Sequence, residues 1–233
     1  MFFRLWFLYR DFCEISELQC AGFCEGSAWQ FTWYVPHDVK SLINLIGERQ
    51  FIDRLNAGFA TSEKVSFNAL GDNMGAYPIN HANETNMQAA YLFSYTSEPW
   101  HTQKWARAIQ EKYYGMGPRD AYPGDEDQGQ MSSWYILSSI GLFQMDGGCS
   151  KDPVWLLGSP RFDRVEILLD NTYYSGKKLI IKAENVSKDN CYIQYVRFNN
   201  KRLSNNYIEW SKLKKGGTLH FIMGDRPNPN AFK

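Results

Sequence analysis

The sequence predicts an α+β protein, a helical region followed by a smaller antiparallel β region, and three observations carry that prediction. Between Ala28 and about Gly141 the apolar residues recur three and four positions apart, the spacing of one helix face. Beyond about Lys151 they gather into short runs rich in Val, Ile and Tyr, broken by Asn, Ser and Gly. The two patterns follow one another instead of alternating, which argues against a parallel α/β sheet. The change of pattern divides the chain into residues 1–150 and 151–233.

Taken in order, residues 1 to about 22 hold no steady period. Their start, Met1 to Arg10, is apolar, but Arg4 and Arg10 confine the uninterrupted run to Leu5–Tyr9. That is too short for a signal-peptide core, and no clean small-residue cleavage site follows. No run of about 20 apolar residues exists, so no membrane helix is predicted. Val39, Leu42, Ile43 and Ile46 mark a helix that Gly47 stops, and Phe51, Ile52, Leu55 and Phe59 mark the next. A further helix is predicted over Thr85–Tyr95, and Trp105, Ala108, Ile109 and Tyr113 mark another, ended by Gly115-Met116-Gly117-Pro118. The last covers about Gly129–Ile140, with Gly141 at its C-terminus. Strands are predicted at Val165–Leu169, Leu179–Ile181, Tyr192–Phe198 and Thr218–Met223. Asn171, Ser175-Gly176, Asn199-Asn200 and Gly216-Gly217 supply the turns.

Lys plus Arg equals Asp plus Glu at 25 each, so the chain lacks the basic excess of a nucleic-acid binder. It has no polybasic run for a membrane surface either. Aromatic residues make up 16% of the chain. Filling a core accounts for most aromatics, while sugar binding is the functional alternative, because their faces stack on the C–H face of a pyranose. The 5 cysteines, an odd number, fit no zinc spacing and read as small buried hydrophobes.

Three stretches carry chemistry. Pro123-Gly124-Asp125-Glu126-Asp127-Gln128-Gly129 puts consecutive carboxylates before an apolar helix. One acid suffices to favour a helix N-terminus, whereas adjacent acids repel unless a cation, a substrate or fixed donors compensate. In an extended loop Asp125 and Asp127 would face one side and Glu126 the other. Cys24-Glu25-Gly26-Ser27-Ala28-Trp29-Gln30 leads into Val35-Pro36-His37-Asp38. Among such aromatics Glu25 reads either as an ordinary loop residue or as an acid whose pKa an apolar pocket raises. Asn80-His81-Ala82-Asn83-Glu84 is rich in oxygens suited to a hard cation, or is a turn with Asn83 capping the next helix.

In this order the three stretches resemble glycoside hydrolase family 92, together with Leu157-Gly158-Ser159-Pro160 and Gly216-Gly217-Thr218-Leu219. The similarity covers roughly residues 21–230. It implies a calcium-dependent, inverting exo-α-mannosidase acting on mannose-containing glycans, periplasmic or extracellular. Its fold would be part of an (α/α)6 toroid over residues 1–150, followed by the β segment. In an inverting glycosidase an acid protonates the leaving oxygen, and a carboxylate roughly 6.5–9.5 Å away activates water. By motif, Glu25 is the acid and Asp125 and Asp127 are the base candidates. Trp29, His81 and Glu84 would meet the sugar, and Asn83 and Glu84 would lie at the Ca2+. The family often continues its Asn-Glu segment with Pro-Ser-His-His, where this chain has Thr85-Asn86-Met87-Gln88. No α-1,2 linkage is therefore implied. The toroid is expected to be incomplete, with a preceding N-terminal portion of the enzyme absent. The isolated chain is expected to be poorly stable or to associate.

Overall fold

A computed structural model describes residues 23–69, 75–124 and 126–233. The helical part opens with a single turn, α1 (Ala28–Phe31). In α2 (Val39–Ile46) the Asp38 carboxylate accepts from the Ser41 N–H at 3.1 Å, capping the N-terminus. Gly47, at φ +87°, ends α2 and starts α3 (Glu48–Ser62). Phe51, Ile52, Leu55 and Phe59 lie on the buried face of α3, as their spacing predicts.

The helix predicted over Thr85–Tyr95 differs. One α-turn, α4 (Glu84–Met87), gives way to a tighter 3-10 segment, Ala89–Tyr95. The Thr85 carbonyl is the acceptor that a continuous α-helix would offer to Ala89. Here it accepts from the side-chain amides of Gln88 and Asn86, both at 3.0 Å. The remaining helices of this part, α5 (Trp100–Lys112) and α6 (Gln130–Ser139), match their patterns, with Gly141 at φ +81° just beyond α6.

The β part comprises β1 (Leu142–Phe143), β2 (Val154–Leu157), β3 (Arg164–Leu168), β4 (Lys178–Glu184), β5 (Tyr192–Phe198), β6 (Lys201–Arg202), β7 (Tyr207–Glu209), α7 (Trp210–Leu213) and β8 (Gly217–Gly224). One sheet has the order β1-β2-β7, the other β3-β4-β8-β5-β6. The second sheet corrects the expectation of a purely antiparallel region. β8 lies between β4 and β5 and runs parallel to β4, from Leu179 opposite Gly217 to Glu184 opposite Ile222. Alternating burial announces a strand but not its direction. The long excursion through β5, β6 and β7 leaves room for the crossover that a parallel pair needs.

Two apolar cores result. Trp33, Phe51, Phe59, Tyr91, Trp105 and Trp134 build the first, and Leu179, Ile181, Val196, Leu219 and Phe221 the second. The small sheet stands between them: Leu156 joins the first core and its neighbour Leu157 the second, because successive strand residues face opposite sides. Buried Arg107 on α5 fastens the two parts. It donates to the Ser159 hydroxyl at 3.0 Å, the Pro160 carbonyl at 2.5 Å and the Ser187 carbonyl at 3.0 Å. The similar stretches Leu157–Pro160 and Gly216–Leu219 thus have structural duties. A Cβ on Gly158 would lie 2.9 Å from the Tyr91 hydroxyl, and Gly216 and Gly217 take φ of +74° and +130°. The cysteine expectation is corrected where it can be seen: Cys24 and Cys149 are exposed and Cys191 half-buried. Cys13 and Cys20 lie outside the described residues.

Candidate active site

The Glu25 loop is shaped by its own backbone. Glu25 has φ +51°, a left-handed conformation that costs a non-glycine residue energy unless its surroundings enforce it. The loop turns into α1 through a capping box, with the Ser27 N–H donating to Gln30 Oε1 at 3.2 Å. The Gln30 amide then donates to the Tyr77 carbonyl at 2.8 Å. Glu25 is exposed, as in the ordinary-loop alternative and not in the apolar-pocket one. Trp29 is 37% exposed, with the Arg54 guanidinium over its ring.

Beneath this loop lies a buried amide network. The Asn80 N–H donates to Asn86 Oδ1 at 2.9 Å, and Asn86 Nδ2 donates to the Gln30 carbonyl at 3.0 Å. Asn80 Oδ1 accepts from the Ala82 N–H at 3.1 Å. Gln88 Nε2 donates to the Trp33 carbonyl at 3.3 Å. Asn86 and Gln88 here anchor backbone.

His81 is wholly buried among Tyr113, Tyr114 and Trp134. The Tyr114 hydroxyl donates to the Met131 carbonyl at 3.1 Å. It therefore accepts from His81 Nε2–H at 2.9 Å, which fixes the tautomer and leaves buried Nδ1 without a hydrogen-bond partner. Burial pushes the His81 pKa down to about 3, so the ring is neutral. Burial, with Tyr113 and Glu126 nearby, pushes the Tyr114 phenol up, so it stays protonated. Asn83 is buried, and Glu84, in the first turn of α4, is half-buried.

The acidic loop packs against this segment. A Cβ on Gly124 would collide with the Tyr113 hydroxyl and lie 2.8 Å from Met131 Cε and 3.0 Å from Ala82 Cβ. Asp125 lies outside the described residues. Glu126 turns to the start of α6, its Oε1 accepting from the Ser132 N–H at 3.4 Å. Asp127 and Gln128 are exposed at φ +41° and +64°, and Gly129 follows at +88°. From Asp127 to Gly129 the backbone is thus coiled, not extended; the expected facing of Asp125 and Asp127 to one side involves a residue outside the described ones.

Among the described residues, two contacts bring the three stretches together. Asn83 Nδ2 donates to the Glu25 carbonyl at 2.5 Å, and Gly124 packs on Ala82. Glu25 and Asp127 are thereby carried on loops that share one support. Sequence reading included Gln30 and Asn80 in its stretches without giving either this supporting role, and it passed over Tyr114. The density of Asn and Gln from residue 80 to 88 was the available signal.

Calcium takes six to eight oxygen ligands. Among the described residues no three His, Cys, Asp or Glu converge on a possible ion site, and the Asn83 amide nitrogen is directed at Glu25. These residues do not by themselves form a calcium cage. Among the described residues no helix is long and apolar enough to cross a membrane.

The model of the glycosyl hydrolase family 92 catalytic domain matches residues 8–225. A curated relative, an uncharacterized secreted glycosidase of Arthroderma benhamiae, is 29% identical over 91% of this chain and 25% of its own length. Among solved structures, the GH92 α-mannosidase BT3965 of Bacteroides thetaiotaomicron superimposes with a TM-score of 0.75 at 34% identity, over 89% of this chain and 26% of that one. The inverting GH92 mannosidase BT2199 of the same organism gives 0.75 at 32% identity, over 90% and 29%. The chain thus spans about a quarter of the length of the curated relative it matches.

Proposed function

The chain belongs to glycosyl hydrolase family 92, and from that premise we propose that it is part of an exo-α-mannosidase that removes terminal α-linked mannose from glycans with inversion. The observation that carries the reading is the shared support of the two acidic loops, through Asn83 to Glu25 and Ala82 to Gly124. The Glu25 carboxyl gives its proton to the glycosidic oxygen as the bond to the anomeric carbon breaks. Asp127 or Asp125 takes a proton from the water that attacks the opposite face. Trp29 and Glu84 border the sugar, with His81 beneath them. Residues 1–150 would form part of an (α/α)6 toroid carrying the chemistry, and residues 151–233 its β support. A location outside the cytoplasm and a need for the remaining portion of the enzyme belong to the same proposal. So does a calcium requirement, with Asn83 and Glu84 near the ion and further ligands supplied from outside the described residues.

A second reading, a sugar-binding remnant without turnover, is favoured by the exposure of Glu25. The test is hydrolysis of an aryl α-mannoside and of α-mannobiosides by the whole chain, with and without a chelator. Glu25→Gln is expected to lower turnover about 10²-fold or more on mannobiosides and to spare the activated aryl substrate. Asp127→Asn, if Asp127 is the base, lowers turnover on both. Mannose binding with no hydrolysis would establish the second reading, and chelation without effect would remove calcium from the first.

A further inference from the structure

We infer that Asn83 is a positioning residue for Glu25, its side-chain amide holding the backbone turn that aims the Glu25 carboxyl; this deepens the mannosidase reading and rests on it for the word acid. Asn83 occupies the N-cap position of α4, where an Asn normally turns its oxygen to the free N–H groups of the first turn. It makes no such side-chain cap. Its Nδ2 instead donates to the Glu25 carbonyl at 2.5 Å, bridging 58 residues of sequence. The acceptor belongs to a residue at φ +51°. A non-glycine residue persists there only when neighbours impose it, and an imposed strain of this kind is characteristic of functional turns. On the other side of Glu25, the Ser27–Gln30 capping box fixes the chain's exit into α1. The Asn83 end is equally fixed: its N–H donates to the Asn80 carbonyl at 3.3 Å, and Asn80 is locked by Asn86. The exposed carboxyl therefore rests on a buried polar frame, and Asn83 is the tie between them.

The decisive substitution is Asn83→Asp. It keeps the shape and keeps a good N-cap residue, so α4 can still start, but it puts an oxygen where the donor stood. In the whole chain, the Asn83 side-chain amide protons are expected to exchange with solvent at least tenfold more slowly than those of exposed Asn205. In Asn83→Asp the backbone amides from Cys24 to Ala28 are expected to exchange faster. In the hydrolysis assay Asn83→Asp is expected to mimic Glu25→Gln. The kcat on an α-mannobioside falls about 30-fold or more with KM nearly unchanged, the aryl α-mannoside is largely spared, and the pH profile on the mannobioside shifts. Free-amide exchange at Asn83 in the unsubstituted chain would overturn the inference, whether or not the chain hydrolyses mannosides and whether or not the variant folds. Equal kinetic losses on both substrates, or a loss confined to KM, would overturn it too, because a residue that only aims the acid predicts neither. A chain with no hydrolysis sinks the mannosidase reading alone, and the exchange measurements still decide the positioning role.

Discussion

The helical and β parts solve the problem of holding a chain in place by different means. Among the described residues, the buried polar side chains run from Ser27 to Ser139 in the helical part, and Ser159 alone represents them beyond it. The β part relies on an apolar core and leaves its ion pairs, such as Lys178–Glu166, at the surface, where they contribute little. An apolar contact tolerates sliding and repacking. A buried amide has fixed partners at fixed angles, and losing one leaves a desolvated group behind. The helical part therefore buries directional bonds where loops must be aimed, and the β part buries area where support is enough.

This contrast can be broken at its joint. Arg107→Ala leaves the Pro160 and Ser187 carbonyls without their charged donor, and a loss of about 3–5 kcal/mol is expected. Urea unfolding followed separately by a helical and a β-part probe would then separate into two transitions.

A matched pair sharpens it. Asn86→Leu, close in size, orphans the Asn80 N–H and takes one of two donors from the Gln30 carbonyl, which keeps the Trp33 N–H, and is expected to cost about 2–3 kcal/mol. Leu219→Met in the second core is expected to cost under about 1.5 kcal/mol. Equal losses in denaturant melts would dissolve the distinction.

Acid should also act on the helical part first. An unfolded histidine titrates near 6.5, and His81 in the fold near 3. Between those values the unfolded chain holds a proton that the folded chain refuses, so stability rises with pH. The contribution of the neutral ring is complete above about pH 6.5 and is lost as pH falls towards 3, at ~1.4 kcal/mol for each pH unit. His81→Phe should flatten that part of the urea-midpoint profile. The smallest effect belongs to Glu126→Gln, at the start of α6, where about 0.5–1 kcal/mol and a slightly lower Tm are expected, with turnover little changed.

Much of this fold was legible because its cues are local. The spacing of Val39, Ile43, Phe51, Leu55 and Phe59, and glycines such as Gly47 and Gly141, mark helices and their ends through side-chain direction and positive φ. The parallel β4–β8 pairing was not legible, since nothing in either strand encodes its partner's direction. The 3-10 winding after Met87 depends on where the Gln88 amide is sent, a tertiary matter. At the site, residue types singled out Glu25, Asp125 and Asp127 as candidates, but not the positive-φ backbone at Glu25 and Asp127 or the amide that holds the Glu25 turn. Those amides act across tens of residues, which spacing along one segment cannot register.

The placement of β8 bears on the order in which the molecule can assemble. The strand closest to the C-terminus fills the middle of the larger sheet, between β4 and β5. During synthesis β3, β4 and β5 leave the ribosome with their central seat vacant. Two of them must keep unpaired edges until residues 217–224 arrive, and such edges invite pairing with other chains. The described helices from Ala28 to Ser139 leave the ribosome before the larger sheet does. Translation speed between β5 and β8, and a chaperone's access to the waiting edges, should therefore govern how well the larger sheet forms.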